Sequence, residues 1–392
     1  MVNALMQLIR VPAVGPESDG EGELEKVETL TKILQNVGFD KIERYDAEDP
    51  RVPSGKRPNL VAYCNGEADA PKLWVITHID VVPSGEENQW KVTKPFEPIL
   101  KGGKVYGRGS QDNGQSLVAS VFAVKALKHL SIKPKRTVAL AFVADEEQGS
   151  TKGIQHLIGK GLFNKEDLVV VPDSGEPDGS FIEIAEKSIL WFKVVTMGKQ
   201  THGSIPNMGL NAHRIGMQFS LALDEVLHAK YNVKSDYFNV STSTFEPTRK
   251  DKNVDAVNII PGEDVVYFDC RVLPNYSLDE VLTDVRRVAE EFGQKTGATI
   301  HVEIIQKQTS PPMVDSKAEV VTLLKKAIKL ARGLDASVGG IGGGTCAAFF
   351  RKSGIPAVVW SSVDEVAHQP DEYAKVQNMV DDAKVFALLA VL

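Results

Sequence analysis

Cysteine is scarce. The 392 residues hold three, Cys64, Cys270 and Cys346, scattered and odd in number, with no Cys-x-x-Cys. That excludes a disulfide framework and a cysteine-based structural zinc knot, and it fits a reducing compartment. Long apolar runs are also missing. No stretch approaches the roughly 18 residues of a membrane span. The first ten residues lack the basic start and apolar core of a signal peptide, so a cytoplasmic location is expected. Neither sign of charge dominates: 45 basic against 52 acidic residues give a net −7, with no basic run. Nucleic acid and anionic membrane are therefore poor partners. Phosphate-binding signatures are absent too, with no Gly-x-x-x-x-Gly-Lys-Ser/Thr and no early Gly-x-Gly-x-x-Gly after a strand. No internal repeat or low-complexity segment occurs.

What is present is a set of His and acidic residues at the ends of buried strands. Trp74-Val-Ile-Thr-His78 reads as a strand, and alternation places His78 and Asp80 on one face. Asp112, in Ser110-Gln-Asp-Asn-Gly114, precedes a helical pattern of Leu117, Val121, Val124 and Leu127. It is expected at or just before that helix's N-terminus, where N–H groups and the dipole favour a carboxylate. Thr137 to Ala144 is near-continuously apolar, as in a strand covered on both faces, and it ends in Asp145-Glu146-Glu147. Adjacent carboxylates at a buried strand end repel unless a cation is present. Leu168 to Val171 ends in Pro172-Asp173, and a late loop holds His368. In an α/β sheet, ligands bind outside the carboxyl ends of the strands, so these residues should gather at one edge.

The texture changes from about residue 181. Strands at 189–196, 237–245, 264–273 and 299–305 alternate with helices at 212–227 and 278–292, the pattern of a small ferredoxin-like α+β module. The expected division is a discontinuous first domain, 1–185 and 311–392, with 186–310 inserted. The glycine-rich Val338–Cys346 leads into a helix from Ala347, and such N–H groups suit an anion. Five protein ligands fit two zinc ions sharing a bridging carboxylate, a role that suits Asp112. One of Glu146 and Glu147 is then free to act as a general base.

The chain resembles the M20 metallopeptidases and amidohydrolases, nearly end to end. The family includes succinyl-diaminopimelate desuccinylases, acetylornithine deacetylases, aminoacylases, carboxypeptidases and dipeptidases. The resemblance is carried by His78-x-Asp80-Val-Val-Pro, Gly107-Arg-Gly-Ser-Gln-Asp112-Asn-Gly, Asp145-Glu-Glu-x-Gly149-Ser, Asp173, Gly343-Gly-Thr345 and His368. It implies a zinc-exopeptidase-like α/β catalytic domain, with a mixed sheet between helices, and an inserted lid and dimerisation domain. His78, Asp112 and Asp173 would bind one metal, and Asp112, Glu147 and His368 the other. Both would be divalent: zinc first, then cobalt or manganese. Glu146 would be the general base, and Asp80 would orient His78. A cis peptide bond would follow Asp112. His202, in Gly198-Lys-x-Thr-His-Gly-Ser, would reach an active site across a homodimer and donate to the oxyanion. Arg271, Asn258 and the Gly343-Gly344-Thr345 backbone would hold a substrate carboxylate.

The implied substrate is a small N-acyl amino acid or a dipeptide. Asp173 leans towards peptidases that need a free amino group, whereas overall length and a compact lid lean towards deacylases. Two rival readings are a non-catalytic family member and a hydrolase using Cys346 at a helix start. The first would have lost Glu146 or a ligand; none is lost. Metal and thiol chemistry separate in one assay: a chelator should abolish amide hydrolysis, and survival of turnover would favour the thiol.

Overall fold

The computed structural model describes residues 1–392. They form two compact units: Met1–Ile184 with Met313–Val338 and Thr345–Leu392, and Ala185–Pro312 with Gly339–Gly344. The second unit thus takes in a segment outside the expected 186–310. The reason is local. Gly340 donates its N–H to the Tyr237 carbonyl, and a Cβ at Gly340 would meet the Phe238 ring at 2.3 Å. The Lys187 N–H bonds to the Ile341 carbonyl at 3.1 Å.

The first unit is built on an eight-stranded mixed sheet. Its order is Lys41–Glu48, Lys56–Cys64, Arg136–Val143, Ala68–His78, Leu168–Val171, Ala357–Val359, then Phe181–Glu186 and Ser337–Ile341, which belong to the first unit as far as Ile184 and Val338. The four strands from Arg136–Val143 to Ala357–Val359 are mutually parallel. Side-chain alternation divides them between two cores. Leu73, Val75, Val138, Leu140 and Phe142 join a cluster with helices Val2–Ile9, Leu24–Val37, Ser116–His129, Glu319–Arg332 and Val376–Val391. Trp74, Ile76, Ala139, Ala141 and Val143 join the cluster on the other face, with helices Ile154–Gly159 and Ala347–Lys352. Burial on both faces is why these strands read as unbroken apolar runs.

The second unit is an antiparallel four-stranded sheet, ordered Thr244–Lys250, Glu263–Val272, Ser188–Met197, Thr299–Gln308. Helices Ala212–Lys230 and Leu278–Thr296 share a core with it through Phe219, Leu223, Val281 and Val285 against Leu190, Phe192 and Phe268. The strand expected over 237–245 begins only at Thr244. Turns about Ser235 and Phe238 replace its first part, because Phe238 is buried with Ala185 and Leu273 instead of alternating along a ladder. No helix is long and apolar enough to cross a membrane.

Trp74 is fully buried, 4.4 Å from the Phe163 ring, and its indole N–H donates to Asp167 at 2.9 Å. Trp74→Ala should cost about 3–5 kcal/mol by cavity formation and also leave that carboxylate short of a donor. A chemical-denaturation midpoint unchanged from the parent would contradict this packing.

Candidate metal centre

The carboxyl ends of the parallel strands deliver the expected residues to one edge. His78 closes its strand, Asp145-Glu146-Glu147 follow Val143, and Asp173 follows Val171. His368 lies in the segment after Ala357–Val359. Asp112 arrives from the loop Ser110–Gln115 with non-helical φ and ψ, so it does not cap the helix that begins at Ser116. The dipole reading of Asp112 is therefore replaced: its carboxylate faces side chains. The Asp112–Asn113 peptide bond is cis.

Those side chains form two triplets that could each hold a cation, His78–Asp112–Asp173 and Asp112–Glu147–His368. His78 Nε2 lies 2.7 Å from Asp112 Oδ1 and 3.4 Å from Asp173 Oδ1. His368 Nε2 lies 3.0 Å from Asp112 Oδ2 and 3.2 Å from Glu147 Oε2. The tautomer makes this informative. His78 Nδ1–H donates to the Asp80 backbone carbonyl at 3.0 Å, so the lone pair of a neutral ring sits on Nε2, against two carboxylates. Lone pairs facing anions at these distances need a proton or a metal between them. Glu147 Oε1 is buried with no hydrogen-bond partner, as a ligand oxygen awaiting a cation would be. Imidazole and carboxylate donors in this number suit zinc and similar divalent ions.

Charge in the cluster follows. Burial opposes ionisation of Asp112, yet the two facing imidazoles hold its carboxyl well below the usual range. Burial would depress His78, but Asp112 and its neighbours drive it well above the ordinary value. Hydrogen bonds to Asp112 and then Glu147 push His368 up to about 10. Glu146 belongs to neither triplet, and burial, followed by the Asp173 charge, pushes its carboxyl well upward.

The supporting residues differ from expectation. The Asp80 carboxylate was expected to orient His78, but it stands 3.6 Å from Nδ1. It accepts the N–H groups of Glu146 and Glu147 instead, each at 3.1 Å. Adjacent N–H donors at the start of a tight turn match a two-oxygen acceptor better than one ring nitrogen does. Three supports were not foreseen. Asn113 Nδ2 donates to Asp173 Oδ1 at 2.6 Å. Asn59 clasps the end of the preceding strand, accepting from the Ala144 N–H and donating to the Lys152 carbonyl. Glu372 accepts the N–H groups of Gln111 and Asp112. Single polar residues in apolar or loop contexts carry no pattern; only the neighbourhood of His368 could have drawn attention to Glu372.

Other expected residues lie in the second unit. Pairing of His202 with Ile259 brings Asn258 beside it, Nδ2 to Nε2 at 3.5 Å, while His202 Nδ1 meets Ser204 Oγ at 2.8 Å. Arg271 does not offer a free fork. Asp269 takes its Nε and Nη2 at 2.6 and 2.9 Å, and Nη1 donates to the Gly342 carbonyl at 3.0 Å. A two-residue offset on one strand makes that ion pair the local optimum. Neither positive φ nor internal crowding demands glycine at Gly343. Thr345, in the first unit, accepts the Ala347 N–H at 3.2 Å just before the short helix. Cys346 is buried among apolar side chains, which removes it as an accessible nucleophile.

A parallel-sheet edge carrying two imidazoles and three carboxylates in overlapping triplets makes this an α/β protein with a candidate two-metal centre. A sequence profile of peptidase family M20/M25/M40 matches residues 74–391, and the chain belongs to that family. It is 40% identical over 394 residues to an uncharacterised metallohydrolase of Methanocaldococcus jannaschii, covering 97% of this chain and 96% of that one. It is 25% identical over 362 residues to a succinyl-diaminopimelate desuccinylase of Alkalilimnicola ehrlichii, covering 91% and 90%. Among solved structures it resembles the aminopeptidase PepT of Bacillus cereus, with a TM-score of 0.74, 20% identity and coverage of 99% and 96%.

In the metal-free chain the elevated His368 pKa stabilises the fold fully below its unfolded value near 6.5. That contribution is lost as pH rises towards about 10. Thermal melts of chelated protein should therefore fall between about pH 7 and 10, and fall less in His368→Ala. Parallel slopes for the two proteins would contradict the assignment.

Proposed function

We propose that this metallohydrolase cleaves the amide bond of a small N-acyl amino acid or short peptide at the paired triplets, with Glu146 as the general base. The observation that carries this reading is the position of Glu146. It is beside the triplets, outside both, and its backbone is fixed by Asp80. Burial that favours its protonated form also makes its carboxylate a good proton acceptor when charged. The proposed ligands are His78, Asp112 and Asp173 for one ion and Asp112, Glu147 and His368 for the other. Zinc is the proposed metal in both. When bound, such ions polarise the amide carbonyl and lower the pKa of water towards neutrality.

The chain's own residues do the rest. Glu146 takes the proton from the attacking water and returns it to the leaving nitrogen. Asp80, through its bonds to the 146 and 147 N–H groups, keeps that carboxylate aimed. His202 is proposed as the donor to the developing oxyanion, with Asn258 beside it. The N–H groups of Gly343 and Gly344 are proposed to receive the substrate carboxylate, with Arg271 bracing the loop through the Gly342 carbonyl. The proposed assembly is a homodimer.

Asp173 favours a substrate with a free amino group, in line with an aminopeptidase among the structural relatives; a desuccinylase among the sequence relatives favours an N-acyl group. A turnover screen of dipeptides against N-succinyl and N-acetyl amino acids separates these. On the preferred substrate, Glu146→Gln should lower kcat by about 10²–10⁴ while metal content is retained. Substantial residual turnover would sink the general-base assignment.

A further inference from the structure

We infer that Glu372, acting through Arg108, is a positioning residue that locks the two metal positions to each other. The inference rests on the two-metal reading above. Glu372 is fully buried, and both its oxygens are used. Oε1 accepts the N–H groups of Gln111 at 2.9 Å and Asp112 at 3.1 Å. Oε2 accepts the Gly109 N–H at 3.1 Å and Arg108 Nη1 at 2.6 Å. One carboxylate therefore fixes the backbone leading up to the shared ligand, including the N–H of Asp112 itself.

Arg108 extends the same lock to the other ligand loop. It is buried, and its fork donates to the carbonyls of His368 and Gln369, each at 3.3 Å. The Glu372 carbonyl in turn accepts the Gly107 N–H at 2.9 Å. The loop carrying Asp112 and the loop carrying His368, distant in sequence, thus hang on one buried ion pair. Such a pair is poor value for stability alone, since apolar residues of equal volume commonly do as well. What an apolar pair cannot do is accept three N–H groups and donate to two carbonyls at once.

The two partners have different reach. Glu372 holds Asp112, which both triplets share. Arg108 also holds the His368 backbone, which only one triplet uses. Loss of Glu372 should therefore weaken both metal ions, and loss of the Arg108 fork should weaken chiefly one.

The test is calorimetric zinc titration of the chelated full chain and of Glu372→Gln, Glu372→Asp, Arg108→Lys and His368→Ala, with thermal melts to confirm folding. The parent should take up two ions. Glu372→Gln should raise both dissociation constants by about 10- to 100-fold, the range for residues that orient ligands. Arg108→Lys should raise one constant by a similar factor, and that effect should vanish in the His368→Ala background. In the metal-loaded variants, kcat should fall with little change in KM.

Glu372→Asp keeps the charge but withdraws the carboxylate, and it serves if the Gln variant does not fold. If neither folds, hydrogen exchange on the parent decides: the N–H groups of residues 109, 111 and 112 should be protected like the central strands. Constants unchanged within about twofold in a folded Glu372 variant, or rapid exchange at those amides, would overturn the inference. A parent that binds fewer than two ions would instead overturn the two-metal reading.

Discussion

The constraint on which the structure depends is the Asp112 carboxylate, with one imidazole on each oxygen. His78 and His368 approach it from opposite sides, at 2.7 and 3.0 Å, and both present Nε2. Because His78 gives its Nδ1–H to a carbonyl, its Nε2 can face Asp112 only with a proton or a cation between them. Asp173, Glu146 and Glu147 crowd the same space, so the edge carries more negative charge than its own imidazoles neutralise. Two divalent cations would resolve that imbalance. Without them, protons do so in part, which is why His368 is pushed up to about 10.

Holding such a cluster together requires a rigid frame, and much of the buried polar chemistry serves that end. Arg57, inaccessible to solvent, binds the Glu23 carboxylate and reaches Asp145 at 3.5 Å. Asp145 takes the Lys152 N–H at 2.9 Å and so closes the turn that presents Glu146 and Glu147. Asp80 fixes the same turn from the neighbouring strand. Glu23, Asp145 and Asp80 are each satisfied by cationic or backbone donors, as burial demands. The apolar sheet supplies the stiffness: parallel strands packed on both faces fix where their carboxyl ends stop, to within the tolerance a metal site needs.

The parts legible in the sequence were those with a period or a dense local signal. Unbroken apolar runs announced the buried strands 136–143 and 168–171, and acidic residues directly after a buried strand announced a charged edge. Spacing of Leu117, Val121, Val124 and Leu127 marked the helix Ser116–His129. What stayed hidden depended on contacts distant in sequence. Glu372 and Arg108 are 264 residues apart, and nothing in either local sequence tells a buried strut from a solvated charge. Asp80 has a second task that alternation could not show: its carbonyl accepts His78 Nδ1–H, while its carboxylate takes the N–H groups of the turn after Val143. For Arg271 the resemblance implied a clamp on the substrate carboxylate, and its strand neighbour Asp269, distant from any metal motif, takes its Nε and Nη2.

Everything in this account turns on two cations sharing Asp112. Anomalous diffraction at the zinc edge, from crystals of the metal-loaded chain, tests that most directly. The account predicts two peaks about 3.5–4 Å apart, one beside His78 and Asp173, the other beside His368 and Glu147, with Asp112 between them. A single peak, or peaks remote from both imidazoles, would contradict it.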